Sequence, residues 1–488
     1  MLNFKKIQIY PSLKQFINWS KKYSQVPILV SFSLEQADPY LAFLSLCKNF
    51  SRTFFLDSFN VSTSGSYSYF PLAKARESWV SFGKKNSLKV WKSLQNYIHF
   101  NPGPHLPKQF PAFYGGVVGL ISYDLGRAFE SGWASDSPKD ELKLPWIDFS
   151  LYEKIACYDH KKKRIYFMSC LNLKNRSVFP ANLYSKEKEK LLEFLKIFRK
   201  KQSSFPDLPL KKDLKISKKK LPIEDKKKYF TDSVFKLKKY IRAGDIYQAN
   251  LSQRIKTPFR GDLGFFYARL RKINPSPYAC FFRLPNLQLA SCSPELLLKK
   301  RANQVETRPI AGTRPRGANS KKDKLLAGEL ILSPKERAEH IMLLDLERND
   351  LGRVCESGSV RVKEKMVIEK YSHVMHIVSH VQGNLSKSQD IFSAIQAVFP
   401  GGTITGCPKI RCMQILDEVE PLARSLFFGS CGWIGVQGDG EINLLIRTAI
   451  KSKGMLNIQV GSGIVADSDP ELEFQESLHK ARALLEAL

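Results

Sequence analysis

Helical and strand-like runs intermix along this chain without a regular strand–helix–strand rhythm, no Gly-x-Gly-x-x-Gly turn is present, and no solenoid repeat recurs. Those three observations predict an α+β fold built in layers and argue against a doubly wound dinucleotide-binding domain. An apolar fraction of 43% over 488 residues can fill the core of two domains or one large one.

Taken in order, Val26–Val30 and Arg164–Met168 read as strands and Tyr114–Leu120 as a glycine cluster, which makes residues 1–198 a β-rich lobe. Residues 199–228 are lysine-dense and broken by prolines, the composition of a linker or surface excursion. A second lobe, 229–488, opens with a helical pattern over Tyr229–Ala243 and passes into strand-like runs at Gln248–Arg254 and Ala279–Ala290.

Two helix starts in the second lobe carry paired carboxylates. Ser333 and Pro334, with Glu336 three residues after the serine, combine a capping hydroxyl, a proline at the first helical position and a capping-box glutamate. Glu336 and Glu339 then share a helix face. Asp469-Pro470 opens another helix, with Glu473 and Glu476 at the same spacing. Four hard oxygen ligands on two helices suit Mg²⁺; the same pairs also read as a helix cap and solvated charges. His373, His376 and His380 are spaced for one helix face, which leaves zinc binding and plain packing both open.

The formal charge is +31, but the excess is lysine spread over the whole length with no aromatic-interleaved basic repeat, so no nucleic-acid partner is expected. Nine cysteines without a Cys-x-x-Cys pair fit free thiols in a reducing compartment. No apolar run is long enough to span a membrane and the N-terminus has no apolar signal segment; a cytoplasmic protein with no membrane partner is expected.

Four further segments stand in order around the glutamate helix: Gly244-Asp-Ile-Tyr-Gln-Ala-Asn-Leu-Ser-Gln-Arg254, Thr307-Arg-Pro-Ile-Ala-Gly-Thr-Arg-Pro-Arg-Gly317, Phe399-Pro-Gly-Gly-Thr-Ile-Thr-Gly-Cys-Pro-Lys409 and Gly461-Ser-Gly-Ile-Val-Ala-Asp-Ser-Asp469. Together with a weaker block at 115–127 they resemble the chorismate-utilising family, which includes component I of anthranilate synthase and of aminodeoxychorismate synthase. The resemblance implies that family's α+β fold, with layered antiparallel sheets and flanking helices.

It also implies roles. Chorismate has two carboxylates, an enolpyruvyl ether and a 4-hydroxyl that must leave. Glu339 and Glu476 match the family's Mg²⁺ ligands, with Glu336 and Glu473 beside them. His376 matches the proton donor to the departing oxygen, and Glu295 the glutamate beside the reacting ring. Arg447, the backbone of Gly461, Ser462 and Gly463, and Lys480 suit the second carboxylate, while Gly312 and Thr313 match a substrate-contacting turn.

The nucleophile is read at Gln248, where water-activating relatives have a lysine. Glutamine is not basic, which favours ammonia, and no glutamine-hydrolysing cysteine motif is present, which implies a separate glutamine amidotransferase subunit. Ala311 stands where many aminodeoxychorismate synthases have a lysine and by itself points to anthranilate synthase. Gln248-Ala-Asn250, Pro400-Gly-Gly-Thr403 and Glu441–Arg447 point the other way, as does Asn274-Pro-Ser-Pro-Tyr-Ala279, which lacks the methionine that follows the tyrosine in the tryptophan-regulated branch. The reading favours aminodeoxychorismate synthase component I, with a separate lyase downstream. Its alternatives are anthranilate synthase component I and, from another class, a basic nucleic-acid-binding protein.

Overall fold

The computed structural model describes residues 7–34, 38–58, 67–133, 136–174, 179–202, 227–370 and 374–488. Most of the 199–228 segment read as a linker, residues 203–226, lies outside the described residues, as does His373. Two large sheets dominate, one of 12 strands and one of 10, the latter with nine in its main order and Arg361–Lys370 pairing off it with Val374–Asn384, and every described pairing between named strands is antiparallel. The layered antiparallel α+β expectation holds.

Both sheets run without a break across the two sequence lobes. In the larger sheet the Thr53–Asp57 strand pairs with Tyr278–Leu284, setting Phe55 opposite Phe281. In the other, Gly116–Ile121 pairs with Ser430–Gly435, setting Gly119 opposite Gly432. The inner faces of the sheets meet in a core that draws Phe54, Phe113 and Val117 from one lobe and Leu289, Trp433 and Ile442 from the other. Each half thus completes sheets begun by the other, while the second lobe also holds smaller apolar clusters of its own, one around Phe230, Leu237 and Phe474 and one around Leu330, Met375 and Ile377.

Both helices start where their sequences predict. Ser333 caps Pro334–Gly352 by accepting from the Glu336 amide at 3.4 Å, but the expected capping box does not close, because the Ser333 amide donates to the Glu329 carbonyl of the preceding helix and the Glu336 carboxylate pairs with Arg314. Asp469 caps Pro470–Glu486 by accepting from Glu471 and Leu472, each at 2.9 Å. Pro334–Gly352 packs across the Ile310–Pro315 and Val374–Asn384 strands, and Pro470–Glu486 lies along the Met455–Ile464 strand. Among the described residues no helix is long and apolar enough to cross a membrane.

One sequence expectation fails. His376 and His380 are not on a helix: Val374–Asn384 is a strand between Arg361–Lys370 and Ile310–Pro315. Its Val and Ile residues suit a pleated, two-sided environment, and Ile377, Val378 and Val381 are buried there. His380 meets Glu306 at 3.0 Å, a polar pair within the sheet rather than part of a histidine triple.

Candidate active site

The site lies where the chain twice leaves one sheet for the other. Leu287–Ser293 belongs to the larger sheet and Leu296–Arg301 to the smaller, so Pro294 and Glu295 form a crossing; Gly440–Leu444 and Thr448–Ser452 are joined by a second crossing that ends in Arg447. The crossings are stitched together: Leu444 N–H donates to the Glu295 carbonyl and Cys292 N–H to the Arg447 carbonyl, both at 3.2 Å. Arg447 sits at φ +49°, a left-handed conformation that a non-glycine residue seldom adopts outside a constrained site.

Glu295 is buried in this crossing. Loss of hydration drives its pKa up to about 7, despite the opposing influence of the Thr403 hydroxyl, the Ile310 amide, Arg447 and Lys480. The carboxyl therefore holds a proton into the neutral range.

His376 is positioned by a bulge. The pairing of Ile310–Pro315 with Val374–Asn384 slips between Ala311 and Thr313, and the residue there, Gly312, has φ +65°. That kink turns both the Gly312 carbonyl (3.2 Å) and the Thr313 hydroxyl (2.9 Å) onto His376 Nδ1. The carbonyl can only accept, so Nδ1 carries the proton and Nε2 is the basic nitrogen. Burial, and then the Arg447 and Lys480 charges, push the imidazole down to about 3 against the Gly312 hydrogen bond, so it is neutral at physiological pH. A β-carbon on Gly312 would also lie 2.7 Å from Glu336 Oε2, which places the first acidic residue against the same bulge.

The two acidic helices converge from opposite sides. Glu336 pairs with Arg314 at 3.2 Å. Glu339 accepts from the Gln248 amide at 2.8 Å, and a β-carbon on Gly463 would come within 3.4 Å of Glu339 Oε1. Gln248, Glu339 and Gly463 therefore form one wall, which only a residue without a side chain can complete. Glu473 is buried and takes the hydroxyls of Ser462 and Ser468, so it fixes the Gly461–Gly463 stretch to its helix. Glu476 is half exposed and pairs with Lys480 at 2.9 Å; Lys480 also donates to the Gly461 carbonyl at 3.1 Å.

All fourteen residues singled out from sequence thus fall on contiguous walls or are linked by charge to Glu295 and His376. Among the described residues no three His, Cys, Asp or Glu side chains already converge as a cation cage. The donor set is nevertheless of the right chemistry for a hard divalent cation, since Glu336, Glu339 and Glu476 each meet a cationic or amide donor that a metal would displace.

Sequence reasoning missed part of the lining. Gln248 Oε1, Asn250 Oδ1 and Glu347 Oε2 are buried without a hydrogen-bond partner, and the Thr403 and Thr307 hydroxyls stand beside Glu295 and Glu347. Unsatisfied buried atoms of this kind are the polar groups a ligand is expected to satisfy. Thr307, Asn250 and Thr403 belong to the motif segments and could have been weighed there; Glu347 follows Glu336, Glu339 and His340 at helical spacing. Asn250 and the turn at 402–404 are held by Arg424, which donates to the Asn250 and Ile404 carbonyls while paired with Glu420.

Residues 57–486 match the family model described as chorismate binding enzyme. The chain is 43% identical to aminodeoxychorismate synthase component 1 of Bacillus subtilis over 385 residues, covering 78% of each protein. It is 34% identical to anthranilate synthase component 1 of Aquifex aeolicus over 494 residues, covering 98% of this chain and 97% of that one. Among solved structures, anthranilate synthase component I of Streptococcus pneumoniae aligns with TM-score 0.73 and 31% identity over 88% of this chain and 94% of its own. The menaquinone-specific isochorismate synthase MenF of Escherichia coli shares the fold at TM-score 0.68 and 18% identity over 98% of this chain and 99% of its own. A site of paired carboxylates, an arginine and a buried histidine, on a fold matched along nearly its whole length, places this chain in the chorismate binding enzyme family.

Proposed function

We propose that the chain is aminodeoxychorismate synthase component I, which aminates chorismate with ammonia to 4-amino-4-deoxychorismate. The observation that carries the amination is Gln248: its amide is spent on Glu339, so the position offers no base to activate water. The choice of product rests on the branch-specific segments and on the likeness to the Bacillus subtilis protein.

The walls suggest how the substrate is held and what each group does. Arg447 and Lys480 are positioned to receive a carboxylate, and the Gly461–Gly463 backbone lies beside them. Binding a dianion there offsets the two cations that depress His376, so substrate itself raises the imidazole toward the charged form it needs to protonate the departing 4-oxygen. Glu295 places a buried carboxyl beside the reacting ring. Mg²⁺ would be held by Glu339 and Glu476, with Glu336 and Glu473 beside them, and would supply Lewis-acid polarisation of the ring carboxylate.

Ammonia has to come from elsewhere. Eight of the nine cysteines are buried and Cys407 is partly so. Burial raises the thiol pKa of Cys407, as it does for Cys412, which suits inert thiols rather than a glutamine-hydrolysing nucleophile. A glutamine amidotransferase partner follows, and a separate lyase would complete 4-aminobenzoate formation for folate synthesis.

Ala311 favours a second reading. Its methyl group is buried beside the Gly312 bulge and cannot attack the ring, so ammonia itself must be the nucleophile, as an anthranilate outcome requires. Product identification decides: chorismate, Mg²⁺ and ammonium salt should give 4-amino-4-deoxychorismate, converted to 4-aminobenzoate only with added lyase. Stoichiometric 2-aminobenzoate and pyruvate without lyase would establish anthranilate synthase instead.

A further inference from the structure

The least expected group near the site is Glu347. It projects from the Pro334–Gly352 helix, is buried, and its Oε2 has no hydrogen-bond partner. Its Oε1 would lie 3.6 Å from a β-carbon on Gly402, and the next residue of that turn, Thr403, has its hydroxyl beside Glu295. The two carboxyls therefore flank the same Gly402–Ile404 turn. Around Glu347 stand Asp350 on its own helix, Lys409 on the Lys409–Val419 helix, the Thr307 hydroxyl and Glu295; around Glu295 stand Arg447, Lys480, Thr403 and the Ile310 amide. Lys409 is already ion-paired with Asp350 and so is not a full counter-ion for Glu347.

We propose that Glu347 is a positioning residue for Glu295, a buried carboxylic acid kept protonated across the Gly402–Ile404 turn so that Glu295 can release its proton without facing a second buried anion. Two like charges in one desolvated region cannot both form cheaply. The inferred order of ionisation agrees. Burial, then Asp350, raises Glu347 to about 8, with the Glu295 charge adding to the rise, whereas Glu295 stands at about 7. Glu295 ionises first, and its charge helps Glu347 keep its proton. The inference uses the reading of Glu295 as a group beside the reacting ring, but the pairing itself does not depend on which product is made.

The test is an infrared titration of the protonated-carboxyl band in the full chain without substrate, comparing the unmutated protein with Glu347→Gln and Glu295→Gln. Glu347→Gln should remove the upper step and leave the lower one. Glu295→Gln should move the surviving Glu347 step down by about one pH unit, the scale at which coupled groups titrate as a pair. If that step stays where it was, the carboxyls do not sense each other and the proposal is overturned. A second readout follows kcat with free ammonia held constant. Glu347→Gln, neutral at every pH, should leave the alkaline decline near pH 7 in place. A decline displaced to lower pH would show that Glu347 is charged before Glu295 and would overturn the proposal. A chain that makes 2-aminobenzoate would overturn the proposed product and leave the titration result intact.

Discussion

Two buried groups of charge in this molecule are built differently. In the first, Arg271 donates to Asp57 at 2.8 Å and to both oxygens of Asp38 at 2.8 Å. Asp57 also takes the Ser68 hydroxyl at 2.6 Å and Tyr267 at 3.3 Å, while Ser68 meets His160 at 2.7 Å. Burial alone would depress the guanidinium, yet Asp57 and Asp38 outweigh it and its pKa ends above the usual value. In the second group, around Glu295 and Glu347, burial wins: both carboxyls are pushed up, and Glu347 Oε2 lacks a partner. The first is a charge-paired network that joins the Thr53–Asp57 strand to the Leu263–Ile273 helix across the two sequence lobes. The second is left incomplete where a ligand must enter.

The largest contrast should appear on chelation. Excess EDTA should abolish turnover by removing the Mg²⁺ proposed to bind Glu339 and Glu476, and leave the Arg271 network and the unfolding midpoint little changed. Full activity in EDTA would remove Mg²⁺ from the proposal. Next come the proton carriers: His376→Ala and Glu295→Gln should each lower kcat by roughly 10²–10⁴ while chorismate affinity is nearly kept. Lost binding with normal kcat would make the residue a packing element. With pH the sign is fixed by Glu295. If its acid form is required, kcat at constant free ammonia declines as pH rises through about 7, and a flat profile from pH 6 to 8 would contradict this.

Arg271→Leu tests the other group. Removing one member of a buried ion network leaves Asp57 and Asp38 uncompensated, at a cost of about 3–5 kcal/mol. Denaturant unfolding should show that loss, whereas the pH profile of kcat in the protein that remains folded should not move. A shifted profile would show that the two groups are coupled and that the contrast between them is wrong.

The comparison also explains what the sequence could and could not reveal. Site residues were legible because each motif places a reacting group within a few positions of the turn that holds it: Glu295 two residues from Ser293, and Gly312 next to Thr313. The α+β class was legible because the helix starts and strand runs are local. The continuity of the sheets was not, because pairing Phe55 with Phe281 joins residues with no local signal of each other. The Arg271 network was hidden for the same reason. Glu347 could have been found by following the acidic face of its own helix. The histidines were misread because a spacing of four fits both a helix turn and alternate positions of a strand; the surrounding Val and Ile should have decided between them.

The smallest expected effect concerns that corrected histidine. His380 and Glu306 form a third kind of charged contact, partly exposed and lying between neighbouring strands of one sheet. Burial would raise Glu306, but the His380 hydrogen bond and Lys299 outweigh it and take the carboxyl down to about 2. A carboxyl depressed on folding contributes stability that is fully present above its unfolded value, about 4.3, and is lost as pH falls toward 2. Glu306→Gln should therefore cost roughly 1–2 kcal/mol at pH 7 and visibly less at pH 3. Added zinc should not change the stability of either protein, because the histidines do not share a helix face. A cost that is the same at pH 3 and pH 7 would mean that Glu306 acts through packing rather than charge. Such a result would leave the contrast to be drawn between the two buried groups alone.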